Sequence, residues 1–386
     1  MKGFNSIQLC KGIAIICILF TNTLNYWLNF SSELGIFFSI LITFLEIFGA
    51  FLLIFLFSFS IIFTLKKGMG KRPDRKNRNK LFKQSISLVL LGIAYNLIFQ
   101  YFESGAIIFW GWNILIFIGF GQFICYYIFK LVRWARLVFG LTIILITPYI
   151  RELLFIWKET NIIISILHTI FVSSTPIYPF LPFVSLWFFS TIFAELIYES
   201  TLLESDVANL NAIRSIIKYA FIFIILAFIY SATQLLPFVE PFSYDPNTYP
   251  FIDSLPILRG TNIYYIPGIP EAFVKGTIQN IFFITGISLL IIGLTFYLID
   301  YKNKKGIASK ILIIFGKIAI TLLFFQWLLL PIFNQSLNYD IFIVISLTYL
   351  IAIGFIIYLW ERYIKTKFSL EWLIKIISKK NLEEII

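Results

Sequence analysis

The sequence predicts an all-α, polytopic transmembrane bundle of about ten spans with both termini cytoplasmic. Three observations carry that expectation. First, 59% of the 386 residues are hydrophobic and 13% are charged, with a mean hydropathy of +0.89. A soluble domain needs more polar surface than this. Second, apolar runs of about 20 residues recur along the chain, each enough to cross about 30 Å at 1.5 Å per residue. Third, 26 of the 31 Lys and Arg residues fall at the termini and in alternate connections, against four in the other connections. That asymmetry is the positive-inside rule. It also accounts for the net charge of +11 without a nucleic-acid partner.

Taken in order, Ser6–Lys11 is a short amphipathic lead-in and Gly12–Phe30 the first span, with the polar patch Thr21-Asn22-Thr23 at mid-depth. Leu34–Leu65 is too long for one perpendicular helix. Glu46 and Gly49 interrupt it, which predicts a half-buried lead-in and a span from about Phe48. Ser85–Phe102, Ala106–Phe129 and Leu137–Trp157 follow. Asn161–Val172 is apolar over only about a dozen residues and suits an interfacial or re-entrant segment. Tyr178–Tyr198 opens with Pro179 and Pro182, tolerated in a first helical turn. Ile216–Leu236, Thr277–Leu298, Ile311–Phe333 and Ile341–Trp360 complete the spans.

Pro237–Lys275 holds seven prolines and reads as an irregular cap on the outer face. In Phe368–Lys380, Leu370, Leu373, Ile374 and Ile377 form one stripe, an amphipathic helix for the inner surface. No stretch is long and polar enough for a soluble domain. Residues 1–386 therefore form one membrane domain: a core over 1–333 with outer loop 237–275, a last span in 334–360 and a cytoplasmic tail in 361–386. The expected location is the cell membrane, with anionic lipids meeting the basic inner connections and a homo-oligomer left open. Cys10, Cys17 and Cys125 lie in or beside apolar segments, and no Cys/His cluster offers a metal site. The first run is of spanning length with no small-residue cleavage site after it, so no cleaved signal peptide is expected.

Several short motifs, weak singly, occur in one order. They are Ser6-Ile7-Gln8-Leu9-Cys10-Lys11-Gly12-Ile13-Ala14, Asn22 with Tyr26-Trp27, Glu46, and Asn113-Ile114-Leu115-Ile116-Phe117-Ile118-Gly119. Further on come Ser174-Thr175-Pro176-Ile177-Tyr178-Pro179, Gly316-Lys317 through Gln326, and Leu370-Glu371-Trp372-Leu373. Together they resemble the membrane acyltransferases of the heparan-α-glucosaminide N-acetyltransferase type over nearly the whole chain. The sequence departs from many relatives at Ile116 and Gln326 and near Asn22, where they carry histidines, and it lacks their Asp-Pro-Glu-Gly motif. The resemblance implies transfer of an acyl (acetyl) group from cytoplasmic acyl-CoA to a glycan or glycolipid at the outer face. Two other readings stay open: a non-catalytic relative that binds or translocates a lipid-linked sugar or small solute, and a structural membrane protein.

Acyl transfer from a thioester needs a base or nucleophile and donors for the developing oxyanion. His168, the one histidine, titrates near neutrality and falls in the region of the family's catalytic histidine. Glu46 is a carboxylate in an apolar run, where charge is costly. Asn22 could donate to an acyl oxygen or stitch helices together. These three are the catalytic candidates, and Gln326 and Asn113 are the substrate-binding ones. For phosphates of coenzyme A the candidates are Lys317, toward the inner end of its span with Glu195, and Lys71 and Arg72. The last two belong to Lys66–Lys83, which carries nine cations and also serves as a topological anchor.

Overall fold

The computed structural model describes residues 4–29, 44–68, 74–97, 111–172, 179–203, 205–233, 276–304, 306–333 and 336–378, with Leu41 and Ala272. The outer loop expected at 237–275 lies almost wholly outside these residues. Among the described residues the chain is helical, apart from one bridge between Leu28 and Leu337.

The helices, in order, are α1 (Asn5–Trp27), α2 (Phe44–Lys66), α3 (Asp74–Tyr95), α4 (Ile114–Ile128) and α5 (Arg133–Trp157). Then come α6 (Ile162–Phe171), α7 (Phe180–Leu202), α8 (Asp206–Thr233) and α9 (Ile278–Tyr301). The last four are α10 (Ile307–Lys317), α11 (Ala319–Phe325), α12 (Tyr339–Ile364) and α13 (Leu370–Ile377). Seven of them, α1, α2, α5, α7, α8, α9 and α12, are long and apolar enough to cross a membrane. The chain is a helical polytopic bundle. The bent run of α10, α11 and the turns to Ile332 meets the same standard as a pair. In α3 the first half is charged, and the runs that α3 and α4 belong to continue into 98–110, outside the described residues.

Burial separates two kinds of span. The apolar windows of α1, α2, α7 and α9 are 67–78% buried, whereas those of α5, α8 and α12 are 17–33% buried. The first group forms the protein interior. The second presents Leu, Ile, Phe and Val outward, as a lipid-facing helix must when hydrocarbon is its solvent.

Helix α1 is the interior element that the late helices pack on. Its contact with α10 is backbone on backbone: a Cβ added to Gly12 would sit 1.9 Å from the Leu312 carbonyl oxygen, and one on Gly316 would sit 1.8 Å from that of Gln8. In a membrane, helices associate through such close van der Waals contact, because lipid supplies no hydrophobic drive between them. At the start of α1, Asp300 accepts from the backbone N–H groups of Asn5 and Ser6, each at 3.2 Å.

Three expectations shift. Glu46 and Gly49 do not break the second segment. The helix is already formed at Phe44, Glu46 lies in its first turn, and Gly49 sits in a π-helical stretch, Ile47–Phe51. The extra residue of that stretch lets Gly49 meet α1, where an added Cβ would lie 2.9 Å from Ile18 Cγ1. The segment read as one span over Ile311–Phe333 bends by 71° at Ile318. The freed N–H groups of Ile320 and Thr321 find Glu371 Oε1 at 2.5 and 3.3 Å, and Thr321 Oγ1 donates to Glu371 Oε2. The tail helix α13 is therefore docked on protein through the half-buried Glu371, with Ile374 buried and Leu373 and Ile377 exposed.

Candidate functional site

Polar side chains gather at two opposite ends of the bundle. At the end that carries Lys66 and the α4–α5 connection, Glu195 of α7 is the centre. It takes Lys66 Nζ at 2.6 Å, Arg133 Nε at 3.1 Å and Arg136 Nη2 at 2.5 Å. Glu199, one turn on, takes Lys66 at 3.2 Å and Arg133. The i, i+4 spacing puts both carboxylates on one face of α7, and the i, i+3 spacing does the same for the two arginines at the start of α5. A cavity of about 520 Å³ opens beside this cluster, lined also by Asn77, Tyr126 and Lys130. Arg136 is 2% exposed. Its Nη1 has no partner among the described residues.

At the other end a row of polar and aromatic residues crosses from one side of the bundle to the other. Asn113 caps α4, its Oδ1 accepting from the N–H groups of Leu115 and Ile116 at 3.0 and 2.9 Å. Its Nδ2 donates to the Gly92 carbonyl at 2.7 Å and to Asn96 Oδ1 at 2.6 Å. The amide thus uses both hydrogens in tying α3 to α4. Beside Asn96, the Tyr95 ring stands edge-on to Trp327 at 5.1 Å, and Trp327 meets Tyr26 of α1 at 5.0 Å. Gln326, preceding Trp327, is 3% exposed, and neither its oxygen nor its nitrogen has a hydrogen-bond partner among the described residues. Asn22 lies one turn before Tyr26 in α1 and is half-buried.

His168 stands at the far side of the row. It is half-buried on α6, with its ring 5.9 Å from that of Phe155. Burial, with the nearby charges of Lys158 and Arg151, holds its imidazole below the ordinary value, so it is neutral and able to accept a proton at pH 7. The link back to the row is Trp112, whose indole N–H donates to the Ile170 carbonyl of α6 and whose ring stacks on Phe180. No direct contact of His168 with Asn22 or Gln326 is present among the described residues. Glu46 is half-buried at the start of α2. Lys317 pairs with Glu361 at 2.5 Å, not with Glu195. Lys71 and Arg72 lie outside the described residues.

Sequence reasoning singled out Glu195 but not its partners. The usable signal was the pairing of Arg133 and Arg136 with Glu195 and Glu199, at helical spacing on two neighbouring helix ends. Lys11 was also passed over: it is buried, with its ammonium 4.3 Å from the centre of the Phe57 ring.

The family model for heparan-alpha-glucosaminide N-acetyltransferase, catalytic, matches residues 4–235. The match runs from α1 through α8 and takes in Asn22, Glu46, Asn113, His168 and the whole Glu195 cluster. Gln326 and Lys317 lie beyond it. No curated protein and no solved structure matches. With more than half of its length matched, the chain belongs to the heparan-alpha-glucosaminide N-acetyltransferase catalytic family and is an acetyltransferase-like membrane protein.

Proposed function

We propose that this protein transfers an acetyl group from acetyl-CoA, bound at the basic end, to a hydroxyl or amine of a glycan or glycolipid at the opposite end. The Lys/Arg bias supports a cytoplasmic placement for the basic end and hence an outward-facing acceptor. The observation that carries the reading is Gln326. A buried amide with both polar atoms unpaired costs roughly 1–3 kcal/mol, a cost that a bound ligand's polar groups would remove. The ring of Trp327, next in sequence, with those of Tyr26 and Tyr95 against it, suits the apolar faces of a sugar.

In the reaction the acceptor's lone pair attacks the thioester carbonyl while a base takes the acceptor's proton. The tetrahedral oxyanion then collapses, breaking the carbon–sulfur bond and releasing coenzyme A as thiolate, which is reprotonated. Gln326 and Asn22 are suited to donate to the oxyanion. His168, held neutral, is suited to take the proton. The test is labelling of an envelope saccharide by radiolabelled acetyl-CoA in membranes. His168→Ala should abolish labelling, and undiminished labelling would sink its role.

One observation favours a second reading. Among the described residues no group that titrates near neutrality touches Gln326, which suits a non-catalytic binder or translocator of a lipid-linked sugar. Such a protein ignores coenzyme A, so thermal stabilisation by coenzyme A separates the two.

A further inference from the structure

We propose that the cavity beside Glu195 is a phosphate-binding site. The inference deepens the acetyltransferase reading, on which it rests for its preferred ligand, by assigning the phosphates of the donor to this cavity. Three independent features converge there. The lining carries Lys66, Lys130, Arg133 and Arg136 against the single carboxylate of Glu195, and Glu199 pairs from outside with two of those cations. Among the described residues Lys66, Arg133 and Arg136 outnumber Glu195 and Glu199, so the wall carries a cationic surplus.

Arg136 supplies the second feature. Its guanidinium is buried, Nε donates to the Leu131 carbonyl at 3.1 Å and Nη2 to Glu195, and Nη1 has no acceptor among the described residues. A buried guanidinium whose Nη1 hydrogens are unspent among the described residues asks for an anion, and the planar fork suits a phosphate oxygen. The third feature is backbone. Leu131, Val132 and Arg133 line the cavity at the start of α5, a 25-residue helix that has no side-chain cap at Val132. Its first free N–H groups favour negative charge there. At about 520 Å³ the space accommodates a phosphorylated ribose, and Asn77 and Tyr126 on the wall offer hydrogen bonds to sugar hydroxyls.

The phosphate could belong to coenzyme A or to an anionic inner-leaflet lipid, and the test distinguishes the two. Full-length protein in neutral detergent is titrated with coenzyme A, 3′,5′-adenosine diphosphate and pantetheine, following thermal shift and calorimetry. In parallel, its melting is compared in nanodiscs of phosphatidylcholine with and without phosphatidylglycerol. The expected result is binding of coenzyme A and the diphosphate but not of phosphate-free pantetheine, weakened at least tenfold by Arg136→Gln and by Lys130→Gln. Lys130 is exposed, so its variant keeps the test valid if the arginine variant fails to fold. Stabilisation by phosphatidylglycerol alone, lost in both variants, assigns the same site to a lipid headgroup. The proposal is overturned if no phosphate-bearing probe binds, if pantetheine binds as well as coenzyme A, or if the variants bind like the parent. Acetyl transfer that persists in a protein with no diphosphate binding overturns the pocket and leaves the acetyltransferase reading intact.

Discussion

At the level of single residues, burial sets what each polar group does. Gln326 and Asn113 are both amides read from the sequence as substrate-binding. Asn113 spends its hydrogens on Gly92 and Asn96, while Gln326 spends none among the described residues. Substituting Gln326 with Leu removes an unsatisfied buried group, so the melting temperature should hold or rise while acetyl transfer falls at least tenfold; a parallel loss of both would mark a structural residue. Glu195 is the opposite case. Glu195→Ala leaves Arg136 buried without its counter-ion and should cost about 3–5 kcal/mol, measurable as a lower denaturation midpoint. For His168 the folded imidazole binds a proton less readily than the unfolded one. Lowering the pH through about 6.5 therefore protonates the unfolded chain first and reduces stability. The acid limb of the transfer rate, if His168 is the base, should lie below that same value, and a rate–pH profile checks it.

At the level of elements, contact with neighbours decides what periodicity cannot. The late run reads as one span because Leu, Ile and Phe continue through Ile318, yet the helix bends there. Glu371, about fifty residues on in sequence but in direct contact in space, supplies the acceptor that the broken helix needs. Glu371→Leu removes both acceptor oxygens and leaves the Ile320 and Thr321 N–H groups without the carboxylate they donate to. It should destabilise the bend by about 1–3 kcal/mol and release α13, read as faster proteolysis after Lys367 and Lys375. Gly316→Ala should do more damage than a glycine-to-alanine change in an exposed helix, because its Cβ has no room against the Gln8 carbonyl. The outcome to look for is loss of folded, monodisperse protein on purification.

At the level of the whole molecule, the two polar ends define a direction. The Glu195 cavity lies among the basic connections, and the Gln326 row lies with the ends of α1, α3 and α6. If the charge bias sets the orientation, a cysteine placed at Lys76 should react only with a reagent admitted to the cytoplasmic side. One placed at Asn161 should react only from outside, and the reverse pattern would invert the proposed direction of transfer. The interior spans α1, α2, α7 and α9 are the most buried of the membrane-length helices, so under the proposed function the donor's acyl arm and the acceptor meet within protein rather than in lipid.

What the sequence determined by itself was the class of the molecule: hydrophobic length is a local quantity, and it was enough for a helical membrane bundle. It also marked Glu195, with Lys317, as a charge toward the inner end of its span. Tertiary structure decided which residues pair with Glu195, since Arg136 and Lys66 reach it from different helices and no spacing along the chain encodes that meeting. It likewise decided that Gly49 is a contact with α1, that Ile318 is a bend held by Glu371, and that among the described residues Asn113 is satisfied while Gln326 is not. Hydrogen-bond satisfaction depends on every neighbour at once, which is why a run of apolar residues could place these side chains in the membrane but could not say which of them was left free to act.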